Sequence, residues 1–155
     1  MKVSNYVSLK EVTRSNTATR KGIDNTPNEQ QLKNITLLAE KVFDPLREWV
    51  GGAIKINSAF RSDKLNEAIG GSSSSQHCAY LGAAFDIDDT FKNATNAEMF
   101  NYIKENLSFH QLIWEFGDEN NPNWVHVSYI SEEDNRKEVL AAKKNSNNKT
   151  YYEKL

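Results

Sequence analysis

A single cysteine, Cys78, stands among the 155 residues. It has no partner for an internal disulfide, and one thiol is too little for a thiolate-rich metal site. An excess of charge of either sign is missing too. Lys and Arg total 19 against 21 Asp and Glu, for a net charge of −2. No bulk electrostatic pull therefore favours nucleic acid or an anionic membrane. The start, Met1-Lys2-Val3-Ser4-Asn5-Tyr6, holds no apolar run long enough for a signal peptide or a membrane span. A protein that is cytoplasmic at synthesis and not inserted in membrane is expected. Should its substrate lie across a membrane, it must be released or delivered. No internal repeat is visible. With 38% hydrophobic residues, a chain of this length is most simply one domain with a real core.

Histidine is scarce as well, with three in the chain, and scarcity makes their settings informative. His77 lies in Ser75-Gln76-His77-Cys78-Ala79-Tyr80-Leu81-Gly82-Ala83-Ala84-Phe85-Asp86 and His126 in Trp124-Val125-His126-Val127-Ser128-Tyr129; His110 sits in an ordinary apolar segment. Two imidazoles and one carboxylate are the protein ligands of an open, catalytic zinc site. Two separate structural histidines would be the alternative, and they would leave Asp86 unexplained.

The pattern along the chain predicts the elements that carry these residues. Residues 1 to 25 read as an extended lead-in with one short helix. Thr26-Pro27-Asn28-Glu29 reads as a helix start, with Thr26 as cap, Pro27 first in the helix and Glu29 closing a capping box. Leu32, Ile35, Leu38, Ala39, Val42, Phe43 and Leu46 form one apolar stripe that is core. Pro45 should kink or divide this helix after Phe43, and Gly51-Gly52 ends it. Ile54 to Phe60 alternates as a strand and delivers Arg61 at its end, after which Ser62 caps a short helix. Gly82 to Asp88 is a second strand, and Thr95 opens a second amphipathic helix with a capping box to Glu98. Phe109–Phe116 and Trp124–Ile130 form a hairpin across the turn-rich Asp118–Asn123. From Ser131 the chain is charged and rich in Asn and Lys, which reads as a surface helix with a frayed end. The core therefore spans about 5–130, with 131–155 a charged surface segment.

Strand alternation turns Trp124, His126 and Ser128 to one face, and Ile113, Glu115 and Gly117 share a face of the neighbouring strand. A glutamate in so apolar a strand is costly unless paired or functional. Glu115 is either a general base able to take a proton from water or a rim carboxylate paired with a lysine. Asp86 follows small residues that let a strand approach its neighbour closely. It can supply the oxygen ligand, as can Asp88 and Asp89, and Asp88 shares its face. Arg61 is a good carboxylate receptor, because its fork of donors matches two oxygens; a surface salt bridge is the plain alternative.

Four stretches in order, Asn57-Ser58-Ala59-Phe60-Arg61, Ser75-Gln76-His77, Gly82-x-Ala84-x-Asp86 and Trp124-Val125-His126-Val127-Ser128-Tyr129, resemble the zinc D-Ala-D-Ala carboxypeptidase family. The nearest likeness is to its short phage endolysin-like and bacterial members. Thr17 to Asn25 and Leu112-Ile113-Trp114-Glu115-Phe116 also look like that branch, so the likeness covers roughly residues 5 to 130.

The resemblance implies an α+β fold of the Hedgehog and D,D-peptidase type, a small antiparallel sheet with helices packed on it. It implies one Zn2+ per chain held by His77, Asp86 and His126, with Arg61 on a substrate carboxylate and Ser75 beside the substrate. The implied substrate is a peptide of the peptidoglycan stem or cross-link, and a monomer is expected to act on it at the cell wall. Three departures stand out. Tyr80 and Leu81 are two extra residues inside the family's usual His-x-x-Gly-x-Ala-x-Asp pattern. Asn123 occupies a position where many relatives carry an acidic base, which throws that role onto Glu115. Ala59-Phe60 replaces the commoner Gly-Tyr. The insertion leaves a second reading open, a non-catalytic zinc-stabilised module that binds cell wall or sits in a virion. A cysteine peptidase built on Cys78 is disfavoured, because adjacent His77 is poorly placed to activate it.

Overall fold

Thr26 does not cap the first long helix. In the computed structural model, which describes residues 1–155, its hydroxyl and amide turn back to Asp24 at 2.7 and 3.1 Å. Asn28, a stronger cap than threonine, takes the position instead. It forms the reciprocal box with Gln31, and helix α3 runs from Glu29 to Leu38. The lead-in holds two short helices rather than one, α1 (Leu9–Thr13) and α2 (Asn16–Lys21), each started by a serine cap.

Pro45 does not break the helical run. After α3 the chain widens into a π-helical turn over Ala39–Phe43, and α4 (Asp44–Val50) continues from it with Pro45 in its first turn. The Asp44 amide bonds back five residues to Ala39. A wider turn shifts the hydrogen-bond ladder and makes room for a ring that would clash in a regular helix. The Phe43 ring then meets Phe85 edge-on at 6.0 Å.

Six strands form one sheet, β1 (Lys55–Ser58), β2 (Ala83–Asp88), β3 (Gln111–Glu115), β4 (Trp124–Tyr129), β5 (Glu138–Lys144) and β6 (Thr150–Lys154), in the order β1-β2-β4-β3-β5-β6. Every pairing is antiparallel except β3 with β5. The fold class is α+β. Between β1 and β2 lies the capped helix α5 (Asp63–Ala68), and α6 (Asn96–Asn106) starts at the Thr95 box as its sequence predicts.

The C-terminal segment is the clear correction, since residues 138–154 form the β5–β6 hairpin and not a surface helix. Val139, Ala141 and Ala142 offer β5 a strand's apolar content, and its parallel pairing satisfies the open edge of β3. The lysines that suggested helix decorate an outer strand pair, where charge guards against edge-to-edge association. Lys143 meets Glu153 across that pair at 3.0 Å in full view of solvent.

The two faces of the sheet differ sharply. Phe85, Ile87, Leu112, Val125, Val127 and Tyr129 point to one side and are at most 1% exposed. Helices α3 and α6 pack there, and each such large side chain contributes roughly 1.5–3 kcal/mol. The other side carries Asp86, His126, Ile113 and Glu115, which leaves it free for chemistry.

Candidate metal centre

Asp86 pairs directly with His126 across β2 and β4, so their side chains rise together from the open face. The Nδ1 of His126 lies 2.9 Å from Asp86 Oδ1, and the Nε2 of His77 lies 3.4 Å from Oδ2. One donor atom from each of the three falls within 4.8 Å of the other two. His77 reaches this point from a 3-10 turn, Gln76–Cys78, started by Ser75.

The orientation of His77 follows from its other nitrogen. Nδ1 lies 2.7 Å from the carbonyl oxygen of Ala59, an atom that can only accept, so Nδ1 carries the proton. Nε2 is thereby turned toward Asp86. Such an outer partner fixes tautomer and ring direction for a metal-ligating histidine. It also explains why β1 stops at Ser58, short of the expected Phe60: the Ala59 carbonyl serves the histidine instead of a neighbouring strand.

The two inserted residues are accommodated by a bulge. Ala79 takes a left-handed conformation with φ 59° and Gly82 has φ 77°, while Tyr80 and Leu81 stand exposed, at 59% and 72%, on the wall of the cleft that also holds His77 and Asp86. Gly82 is required, because a Cβ there would run into the Tyr129 carbonyl. Asp86 keeps its place. Asp88, the natural competitor on the same face, is held elsewhere by Thr90 at 2.7 Å and Asn96 at 2.8 Å. Asp89 accepts from the Asn96 amide and the Asn121 side chain.

Burial alone would push the Asp86 carboxyl up. The charge of His77 and the hydrogen bonds from His126 and His77 outweigh it and hold Asp86 well below the usual carboxylate range. Glu115 shows the opposite outcome. It is 8% exposed, and burial pushes it to about 7 against a weaker pull from His126. A carboxylate poised near neutrality can both take and return a proton.

Arg61 opens into the same cleft, of about 730 Å³, which His77, Asp86, Glu115 and His126 also line. Its Nη2 donates to Ser75 Oγ at 3.0 Å, its amide donates to the His77 carbonyl at 2.9 Å, and its Nε is buried without a partner. Burial lowers its pKa, against the pull of Asp86. The sequence did not single out the clamp behind it. Asn25 donates to the Phe60 carbonyl and accepts from the Ser62 amide, gripping both neighbours of Arg61.

Two further cleft residues escaped sequence reasoning. His110 lines it with a buried, unpartnered Nδ1. Tyr152 lines it from β6, in a segment expected to be a surface helix. The hairpin-turn acid Asp118 lies outside the cleft and accepts from its own turn's amides.

Two imidazole nitrogens and a carboxylate oxygen converge on a sheet face, beside a buried glutamate and an arginine, as a group that could hold a metal ion. The sequence profile described as Peptidase M15 matches residues 5–128, and the chain belongs to that family of zinc-dependent peptidases. No curated protein gives a significant match.

Proposed function

We propose that the chain is a zinc peptidase that hydrolyses an alanyl peptide bond in the peptidoglycan stem or cross-link, of D,D-carboxypeptidase or endopeptidase type. The observation that carries this reading is the convergence of His77, Asp86 and His126 in a cleft that also holds Glu115 and Arg61. The residues fit zinc: two nitrogens and one oxygen, with His77 oriented through Ala59. Zinc, when bound, polarises a carbonyl and acidifies water.

The rest falls to the chain. Arg61, fixed by Ser75, reads a carboxylate of the substrate with its forked donors. Ser75 lies beside the same substrate segment, and Trp124 and Ile113 supply cleft wall. Glu115 takes a proton from the attacking water as oxygen bonds to the carbonyl carbon. It then delivers that proton to the departing amine as the C–N bond breaks. Cys78 has no part, because burial raises its thiol and keeps it protonated.

A non-catalytic wall-binding or virion module is the alternative that the insertion suggested; the approach of His77, Asp86 and His126 despite the insertion favours the catalytic reading. No helix is long and apolar enough to cross a membrane. The proposed reading is of a monomer acting on wall peptides after release or delivery, as in phage lysis. The test is zinc content measured together with turnover on purified peptidoglycan. One zinc per chain with turnover is expected. Zinc without turnover would return the module.

A further inference from the structure

The open face of the sheet extends past the family-matched residues. Trp124 pairs with Glu115, Glu115 with Ala142, and Ala142 with Tyr152, a single row across β4, β3, β5 and β6. Residues paired directly in a ladder put their side chains on the same face. Tyr152 therefore rises on the side of Glu115, separated from it only by the methyl group of buried Ala142. An alanine there leaves the ring room to lean toward the cleft, which it lines together with Asp86 and His126.

The cleft has acceptors in abundance at its reacting end, with Asp86 and Glu115 both there. Beside the polarisation that a bound zinc would supply, a hydrogen-bond donor aimed at the carbonyl oxygen stabilises it as it turns anionic. Arg61 is tied to Ser75 on the other wall. His110 lies beside Gln111, at the opposite end of β3 from Glu115. Tyr152 is the donor in the row of Glu115, and no side-chain hydrogen bond engages its hydroxyl. The residue is 56% exposed; partial burial and then the charges of Glu115 and Asp86 raise its pKa further above the ordinary phenol value, so it keeps its proton at neutral pH.

We propose that Tyr152, carried by the C-terminal hairpin, is a catalytic residue whose phenol donates a hydrogen bond to the oxygen of the carbonyl under attack. It gives up no proton in doing so. The β5–β6 hairpin is then part of the active site and not an appendage. This inference rests on the peptidase reading above, and the experiment separates the two.

The full-length, zinc-loaded protein is compared with Tyr152→Phe and with Tyr151→Phe, whose residue lies on the opposite face of the same strand. Each is titrated calorimetrically with a phosphinic dipeptide of D-alanine, a tetrahedral anion that mimics the attacked carbonyl. Tyr152→Phe should keep its zinc and bind the phosphinate about tenfold or more weaker, as expected for losing a hydrogen bond to a charged group. On muropeptides it should lose kcat by a similar factor with little change in KM. Tyr151→Phe should match wild type. Equal phosphinate binding by wild type and Tyr152→Phe, binding by neither, or an equal loss in Tyr151→Phe would overturn the proposal. Tyr152-dependent phosphinate binding without muropeptide cleavage upholds the tyrosine and overturns the substrate reading.

Discussion

Asp86 and Glu115 rise from the same face of one sheet, both largely buried, yet they are held in opposite states. Asp86 stands between two imidazoles that donate to it and keep it ionised. Glu115 stands between Trp124 and Ala142 in its row, with no cation in contact, and burial carries it to about 7. Desolvation opposes charge at both, so the neighbours decide. The lesson concerns role. A carboxylate locked in its charged form suits a metal ligand, whereas one balanced near neutrality suits proton transfer.

The sharpest way to break this contrast is to neutralise Asp86. Asp86→Asn keeps the shape but removes the anionic oxygen, and the protein should lose zinc and fall to background turnover. Asp88→Asn should keep both, since Asp88 is occupied by Thr90 and Asn96. Elemental analysis of the two proteins decides it. Zinc retained in Asp86→Asn but lost in Asp88→Asn would show that the ligand assignment is out of register.

Glu115→Gln should do what Asp86→Asn does not, retaining zinc while turnover drops about a hundredfold or more. Near-normal turnover in that variant would end the role of Glu115 as base.

The same substitution has a stability signature in the metal-free protein. The folded-state pKa of Glu115 is raised from the ordinary 4.5 to about 7. The folded state therefore binds the proton more tightly than the unfolded chain, and stability falls as pH rises from the unfolded value through the folded one. By about pH 8 the loss approaches ~3 kcal/mol, because a tenfold difference in proton affinity between the two states is worth about 1.4 kcal/mol. Glu115→Gln should escape it, matching wild type near pH 4 and exceeding it at pH 8 in urea unfolding. Parallel curves for the two proteins across that range would contradict the buried, unpaired setting.

Arg61→Lys is expected to have the smallest effect, a rise in KM of about tenfold, because a point charge cannot reproduce a two-pronged contact. Steady-state kinetics on a soluble stem peptide read this directly. Unchanged constants would show that Arg61 does not read the substrate.

Much of the site was legible in the sequence because its residues sit in short local patterns. Alternation alone puts His126 on a face with Trp124 and Asp86 on a face with Asp88, and the four motifs in order, by their resemblance to a known family, single out Asp86 and Arg61. What could not be read depended on remote partners. Thr26 and Asn28 are both good caps, and only the Asp24 turn decides between them. The π-helical turn before Pro45 has no signal beyond the proline. The β5–β6 hairpin hid behind lysines and asparagines, since an outer strand exposes charge as freely as a surface helix does. Its cue was the apolar run Val139 to Ala142 followed by Tyr151-Tyr152. Without that hairpin, Tyr152 could not be placed in the cleft, and His110 passed for ordinary core because its face depends on β4.

In the proposed reaction, water adds across an alanyl peptide bond with Glu115 as the base. Mass spectrometry of muropeptides incubated with zinc-loaded wild type and with zinc-loaded Glu115→Gln tests it most directly. Wild type should split a stem or cross-link peptide at one alanyl bond, the fragments together gaining the mass of one water, while Glu115→Gln leaves it whole. Intact muropeptides with both proteins, or the same cleavage by both, would contradict it.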